Sequence, residues 1–223
     1  MSYYPILVNL RGQKVVVVGG GKVAERKIET LLHCSAVVHV VSRDLTDTLS
    51  GYAEEGKITY LGNAFLDSQL DGAFMVIAAT DDAELNRRVS LAAKRQNLLV
   101  NAVDQPEDCN FIVPSILQRG DLIIAVSTSG KSPALARRIR QELEATFGEE
   151  YKSLLVMMGR LRKEVLSLRL SSEENKAFFQ KLVESDLLTA IEKRDWDDVA
   201  AILSEAFGRA VSRDDVMDYL KAE

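Results

Sequence analysis

Gly19, Gly21 and Ala24 stand in the spacing GxGxxA directly after the β-branched run KVVVV at 14–18. In that spacing the first glycine makes a tight turn, the second lets backbone approach a pyrophosphate, and the third small residue permits close helix packing. The implied chemistry is dinucleotide binding. Such a turn opens a helix, whose free N–H groups and positive dipole end attract phosphate. A purely structural turn is the competing reading, and the strand before it and the helical pattern after it weigh against that.

The same fingerprint expects an acidic residue about 20 positions on, at the end of the second strand, to hold the ribose hydroxyls. Here VVHVV at 37–41 is followed by Ser42, Arg43 and Asp44, so Asp44 is the nearby acid and lies slightly late. Arg43 suits a 2′-phosphate instead, so NAD is expected and NADP stays open.

Asp104 follows the apolar run LLVNAV and precedes Gln105 and Pro106. That is the carboxyl end of a strand, where open parallel sheets bind ligands, and a carboxylate there can act as general base. An Asp that merely turns the chain ahead of proline is an equal reading, and Asn101 and Asn110 carry the same ambiguity. Ser127, Thr128, Ser129, Gly130, Lys131 and Ser132 lead a strand into a helix opened by Pro133, a second place for an anion. Helix capping by Ser132 alone is the simpler account. The loop lacks the GxxxxGK[ST] spacing, which excludes a P-loop NTPase. His33 and His39 have no metal-ligand spacing with a partner and read as structural, and no Ser-His-Asp arrangement is suggested. No metal site is expected.

These residues need a scaffold to place them. KVAERKIETLLH, with Val23, Ile28, Leu31 and Leu32 at helical spacing, follows the glycine turn. FMVIAA at 74–79 precedes a helix lined by Leu85, Val89, Ala92 and Ala93, and LLVNAV follows at 98–103. Strands alternating with helices argue for a Rossmann-like parallel α/β sheet over residues 1–112. A strand pair and a helix stopped by Gly148 make a segment at 113–149. From 150 to 223 only helical signals remain, with capping spacings at Ser171/Glu174, Ser212/Asp215 and Asp195/Asp198 and a stop at Gly208. The apolar stripe Leu154, Leu155, Met157, Met158 and Leu161 reads as helix packing.

The 223 residues are 47% hydrophobic and 27% charged, which suits a globular chain with a real core. A formal charge of -5 argues against nucleic acid as partner. Cys34 and Cys109 cannot build a disulfide framework, and no run approaches the roughly 18 apolar residues of a membrane span, so a cytoplasmic protein is expected. Charge is uneven: residues 131–163 hold eight basic residues, Arg137 among them, against four acidic ones. Such a surplus could meet an anionic substrate, although a solvated helix face is the ordinary explanation.

Four separated stretches, PILVNLRGQKVVVVGGGKVAERK, AATDDAELNRRV, NAVDQPEDCNFIVPSI and IAVSTSGKSPALARRIR, occur in this order over residues 3–145. Together they closely resemble the precorrin-2 dehydrogenase/sirohydrochlorin ferrochelatase family, the N-terminal module of siroheme synthases. The resemblance implies oxidation of precorrin-2, a reduced polycarboxylate tetrapyrrole, to sirohydrochlorin with NAD, and in some members insertion of ferrous iron. It places the nucleotide turn on Gly19, Gly21, Lys22 and Val23, the ribose side on Arg43 and Asp44, and the proton-handling aspartate on Asp104. It places the substrate side on Ser127 to Lys131, with the basic surplus around Arg137 drawing the polyanion. Some members carry a phosphorylated serine where this chain has Thr128, a departure from the pattern. The helix after Pro133 resembles a dimerisation segment, so a homodimer is implied. A nucleotide-sensing module without catalysis, and a dehydrogenase that leaves iron insertion to another protein, are the alternatives.

Overall fold

In the computed structural model, which describes residues 3–221, the chain forms two compact units that meet at Val113 and Pro114. The first is built on a five-stranded parallel sheet. Its strands are β1 (Lys14–Val18), β2 (Val37–Val41), β3 (Thr59–Gly62), β4 (Met75–Ala78) and β5 (Leu99–Ala102), in the order β3-β2-β1-β4-β5. The helices α1 (Lys22–His33), α2 (Asp47–Glu54) and α3 (Ala83–Arg95) are the crossovers. Because β1 is central and covered on both faces, its sequence is apolar at successive positions rather than alternating. Val15 and Val17 pack with Ile28 and Leu31 of α1 and Leu49 of α2, while Val16 and Val18 pack with Val89, Ala92 and Ala93 of α3. Each such valine, at most 1% exposed, contributes about 1.5–3 kcal/mol of burial.

The order of strands reverses beside β1. The chain leaves β1 toward β2 on one side and later returns to β4 on the other. This is the switch point at whose carboxyl edge ligands bind in open α/β sheets.

The second unit starts with the antiparallel hairpin β6 (Ser115–Arg119) and β7 (Leu122–Val126), followed by α4 (Pro133–Thr146). Arg119 Nε donates to the carbonyl of Phe147 at 3.1 Å and pairs with Glu149 at 3.3 Å, tying the hairpin to the end of α4. The helices α5 (Glu150–Ser167), α6 (Ser172–Glu184), α7 (Leu187–Lys193), α8 (Trp196–Phe207) and α9 (Arg213–Tyr219) then pack around Met157, Leu161, Leu182, Leu187, Leu203 and Val216. Ser171/Glu174 and Ser212/Asp215 form reciprocal capping boxes, Asp195 accepts from the N–H of Asp198, and Gly208 ends α8 in the left-handed region. Met157 and Leu161 are core residues, as the stripe implied.

Three local readings change. Val23 is 39% exposed, and the apolar residues of α1 packed on the sheet are Ala24, Ile28 and Leu31, so the apolar phase of that helix starts one residue later. Helix α4 ends on Phe147 with ordinary negative φ, and Gly148 lies beyond it without a left-handed turn. Helix α2 and strand β3 add a βα unit that the sequence reading passed over.

Candidate active site

Gly19 sits at φ +124, and a Cβ there would lie 2.2 Å from the carbonyl oxygen of Ala79. Gly20 is pressed from the other side, its Cβ position 2.2 Å from the carbonyl of Asp44 and 2.7 Å from Ser42 Oγ. The turn is thus wedged between the ends of β4 and β2. Gly21 is different: nothing lies within 4 Å of its Cβ position. It is the N-cap residue of α1, and no side chain caps the first N–H groups of the helix. A pyrophosphate fits this arrangement, since backbone can approach it closely and the helix dipole favours its charge. Gly19→Ala is expected to destabilise the first unit by about 2–4 kcal/mol, from overpacking plus an unfavourable φ, read as a lower urea midpoint.

The other residues assigned to the nucleotide side fall around this turn unevenly. Arg43 and Asp44 are exposed just beyond β2, with the Asp44 carbonyl fixed by Ser42 Oγ at 2.7 Å. Lys22 does not reach outward to an anion; its Nζ lies 3.0 Å from Glu25 on the same turn. Hydrogen bonds from Thr46 and then Lys22 hold the Glu25 carboxyl below the ordinary carboxylate range. Lys22 and Val23 occupy the first two positions of α1, where their backbone opens the helix.

Asp104 lies on the loop after β5, exposed, at φ +59. The loop is fixed on both sides of it. Cys109 Sγ accepts from the N–H of Ala102 at 3.2 Å, and Gln105 Nε2 donates to the carbonyl of Ala83 at 3.1 Å. The Oε1 of Gln105 is buried without a hydrogen-bond partner. Asn110 completes the edge of β5, accepting from Val100 N at 2.7 Å and donating to Leu98 O at 2.8 Å, and Asn101 donates to Phe111 O at 3.3 Å. Those two amides serve the loop's architecture. Strand β5 lies two places from β1, a lateral offset of about 10 Å at ordinary strand spacing. The glycine turn, Asp44 and Asp104 thus share the carboxyl edge of one sheet.

Two contributors escaped the sequence reading. Gly20 is one, because its need for a missing Cβ depends on a distant carbonyl. The other is Asn86, 3% exposed on the inner face of α3, whose amide donates to Thr80 O at 2.9 Å and accepts from Thr80 Oγ1 at 2.7 Å. It holds the β4–α3 loop against Gly19. A large polar residue at the spacing of the buried face of α3 was the available signal.

The serine-rich loop belongs to the second unit. Ser127 Oγ accepts from Ser129 N at 3.1 Å, Thr128 Oγ1 from Ser132 N at 3.0 Å, and Ser132 Oγ from Leu135 N at 3.3 Å. Its hydroxyls shape the loop and cap α4, and Ser129 and Gly130 complete it at φ +53 and +80. Within the basic cluster, Arg138 and Arg140 are paired with Glu142 and Glu144 on their own helix. Among the described residues, Lys131 and Arg137 are exposed and form no salt bridge. His39, half-buried in β2, has an unbonded Nδ1, and burial with Lys14 nearby pushes its pKa down. Among the described residues no group of three or more His, Cys, Asp or Glu is placed to hold a metal ion, and no helix is long and apolar enough to cross a membrane.

A parallel sheet with an uncapped glycine turn at its switch point defines a dinucleotide-binding α/β protein. An NAD(P)-binding family model matches residues 6–115, and the model for the sirohaem biosynthesis protein central region matches 119–146. Siroheme synthase 1 of Serratia proteamaculans (strain 568) is 41% identical over 181 residues, 81% of this chain and 38% of that protein. Siroheme synthase of Methylobacillus flagellatus is 42% identical over 184 residues, 82% of this chain and 39% of its own length. The chain therefore spans about two fifths of the curated relatives it matches. The solved structure of SirC, precorrin-2 dehydrogenase, superposes with a TM-score of 0.78 at 24% identity, covering 92% of this chain and all of that one, a likeness of fold. The chain belongs to the siroheme-biosynthesis family that these models and relatives represent, and its first unit carries the family's NAD(P)-binding domain.

Proposed function

We propose that this protein is an NAD-dependent dehydrogenase that oxidises precorrin-2, a reduced polycarboxylate tetrapyrrole, to sirohydrochlorin. The observation that carries the reading is the shared sheet edge, which presents an open phosphate cradle at Gly21 and an exposed carboxylate at Asp104. Similarity to siroheme synthases supplies the substrate class. A nucleotide sensor would need the cradle alone.

Bound NAD supplies the hydride acceptor. Gly19 and Gly20 hold the turn tight, so that the N–H groups opening α1 receive the pyrophosphate, and Asp44 takes the ribose hydroxyls. Asp44 on this edge favours NAD over NADP. The substrate loses one hydride and one proton, and the Asp104 carboxylate accepts the proton as the hydride departs. Lys131 and Arg137, unpaired cations beside the loop Ser127–Gly130, attract the substrate carboxylates. In this reading Ser127, Thr128, Ser129 and Gly130 belong to the substrate side as well.

Two further parts complete the proposal. The protein is a homodimer, joined through β6, β7 and α4, where the apolar side chains of Ile116, Ile123 and Leu135 are 44%, 42% and 49% exposed. It works in the cytoplasm, a compartment that keeps Cys34 and Cys109 as the free thiols they are. Ferrous iron is a candidate second substrate, inserted into the oxidised macrocycle.

Anaerobic incubation with precorrin-2 and NAD tests the reading. Sirohydrochlorin is expected to form with NAD alone, and a further spectral change on adding ferrous or cobaltous ion establishes the second activity. NAD binding without any change in the tetrapyrrole spectrum would leave a sensor. Light scattering during gel filtration tests the dimer, and a monomer would remove it.

A further inference from the structure

The turn that carries Asp104 is held by two side chains to which the chemistry above gives no part. Asp104 lies inside the turn from Ala102 to Gln105, which is closed by the N–H of Gln105 donating to the carbonyl of Ala102 at 3.4 Å, a long bond. That bond alone is a weak clasp. Asp104 sits at φ +59, a left-handed conformation that surrounding structure must hold.

Cys109 reinforces both ends of the turn. Its Sγ accepts from the N–H of Ala102 at 3.2 Å and lies 3.2 Å from the carbonyl oxygen of Ala102 and 3.3 Å from that of Gln105, to either of which the thiol proton can be donated. Asn101 Nδ2 donates to the same sulfur at 3.5 Å. Because β5 is an edge strand, the sulfur stands where a next strand would otherwise meet the N–H of Ala102.

The far end of the loop is fixed by α3. Ser90, 0% exposed on that helix, donates its hydroxyl to the carbonyl of Asp108, the residue just before Cys109. One turn further along the helix, Lys94 Nζ donates to the carbonyl of Glu107 at 3.1 Å. Ser90 therefore sets where Cys109 begins, and Cys109 sets the turn.

We infer that Cys109 and Ser90 are positioning residues for Asp104: the thiol bridges the two ends of the turn that presents the carboxylate, and the hydroxyl seats the thiol's end of the loop against α3. The inference rests on the dehydrogenase reading and adds two residues to it. Both act through Asp104 and need no contact with the macrocycle. The role of the sulfur is geometric and involves no change in its oxidation state.

The test compares Cys109→Ala, Cys109→Ser, Ser90→Ala, Asp104→Asn and the double variant Cys109→Ala/Asp104→Asn. In Cys109→Ala and in Ser90→Ala, kcat for precorrin-2 oxidation is expected to fall about 10-fold, with KM and the Kd for NAD little changed, because a misplaced base slows the step without weakening binding. Cys109→Ser keeps a donor and an acceptor at that place and is expected to recover part of the loss. In the Asp104→Asn background Cys109→Ala is expected to cost nothing more, since the residue it positions is already gone. Unchanged kcat in either single alanine variant, or equal losses in both Asp104 backgrounds, would overturn the inference. Ser90→Ala reaches the same turn from α3 and keeps the test open if Cys109→Ala does not fold.

Amide hydrogen exchange in ¹⁵N-labelled protein gives a second readout without turnover. In Cys109→Ala the N–H groups of Ala102 and Gln105 are expected to exchange about 10-fold faster, while those of Val16 and Val17 in β1 keep their wild-type rates. Unchanged exchange at Ala102 and Gln105 overturns the clasp by itself. A wild-type enzyme silent toward precorrin-2 overturns the dehydrogenase reading instead.

Discussion

Gly21→Asp is expected to fold like the wild type and to lose NAD binding by about 100-fold or more. The fold survives because the Cβ position of Gly21 meets no protein atom within 4 Å and its φ of -82 suits any residue. Aspartate is also a favourable N-cap for α1. Binding fails because the new carboxylate occupies the space that the pyrophosphate needs. Two like charges about 4 Å apart at an effective dielectric near 20 repel by about 4 kcal/mol, enough for that loss. Calorimetric titration with NAD, beside a melting curve, checks both halves. Wild-type affinity in a folded Gly21→Asp protein would move the nucleotide elsewhere. The contrast with Gly19 is diagnostic, since the same loop holds one glycine that the protein's own packing requires and one whose Cβ position meets no protein atom.

Asp104→Asn is expected to leave NAD affinity and the melting temperature unchanged and to lower kcat/KM for precorrin-2 by about 10²–10⁴-fold. Asparagine keeps the size of the side chain and tolerates the left-handed backbone at φ +59, so the loop should not rearrange. What disappears is the proposed proton acceptor. Steady-state rates under anaerobic conditions measure the effect, and a loss of less than about 3-fold would take the base role from Asp104.

Much of this was legible in the amino-acid order, and the exceptions have physical causes. The run KVVVV, the glycine turn and the helix after it are local signals, and so are the capping spacings at Ser171, Asp195 and Ser212. Helix α2 was not legible because Leu49 is its only fully buried residue, leaving no apolar stripe to count. Strand β3 lies at the sheet edge with Thr59 and Tyr60 exposed, so it lacks the apolar run that marks β1, β2 and β4. Val23 was placed inward because it is apolar, whereas the close approach of α1 to the sheet selects the smaller Ala24.

Within the candidate site, residues whose placement is set by sequence-local geometry were legible and those set by distant contacts were not. Gly21 announces itself by spacing from Gly19. Gly20 matters only because the Asp44 carbonyl comes back to it, and Asn86 only because Thr80 folds over it. Lys22 carries a phosphate-seeking charge on paper, yet Glu25, three residues on, takes that charge in the folded turn. The loop Ser127–Gly130 is a similar case. Its hydroxyls are the groups expected to greet an anion, and most of them are spent on the loop's own N–H groups.

The most direct test of the central claim is a single anaerobic turnover with enzyme in excess over precorrin-2 and with saturating NAD, following the reduced nicotinamide and the macrocycle together. One equivalent of NADH should appear for each sirohydrochlorin formed, at one shared rate that collapses in Asp104→Asn. Sirohydrochlorin appearing without NADH, or the same rate in the variant, would contradict a site built from the glycine turn and Asp104.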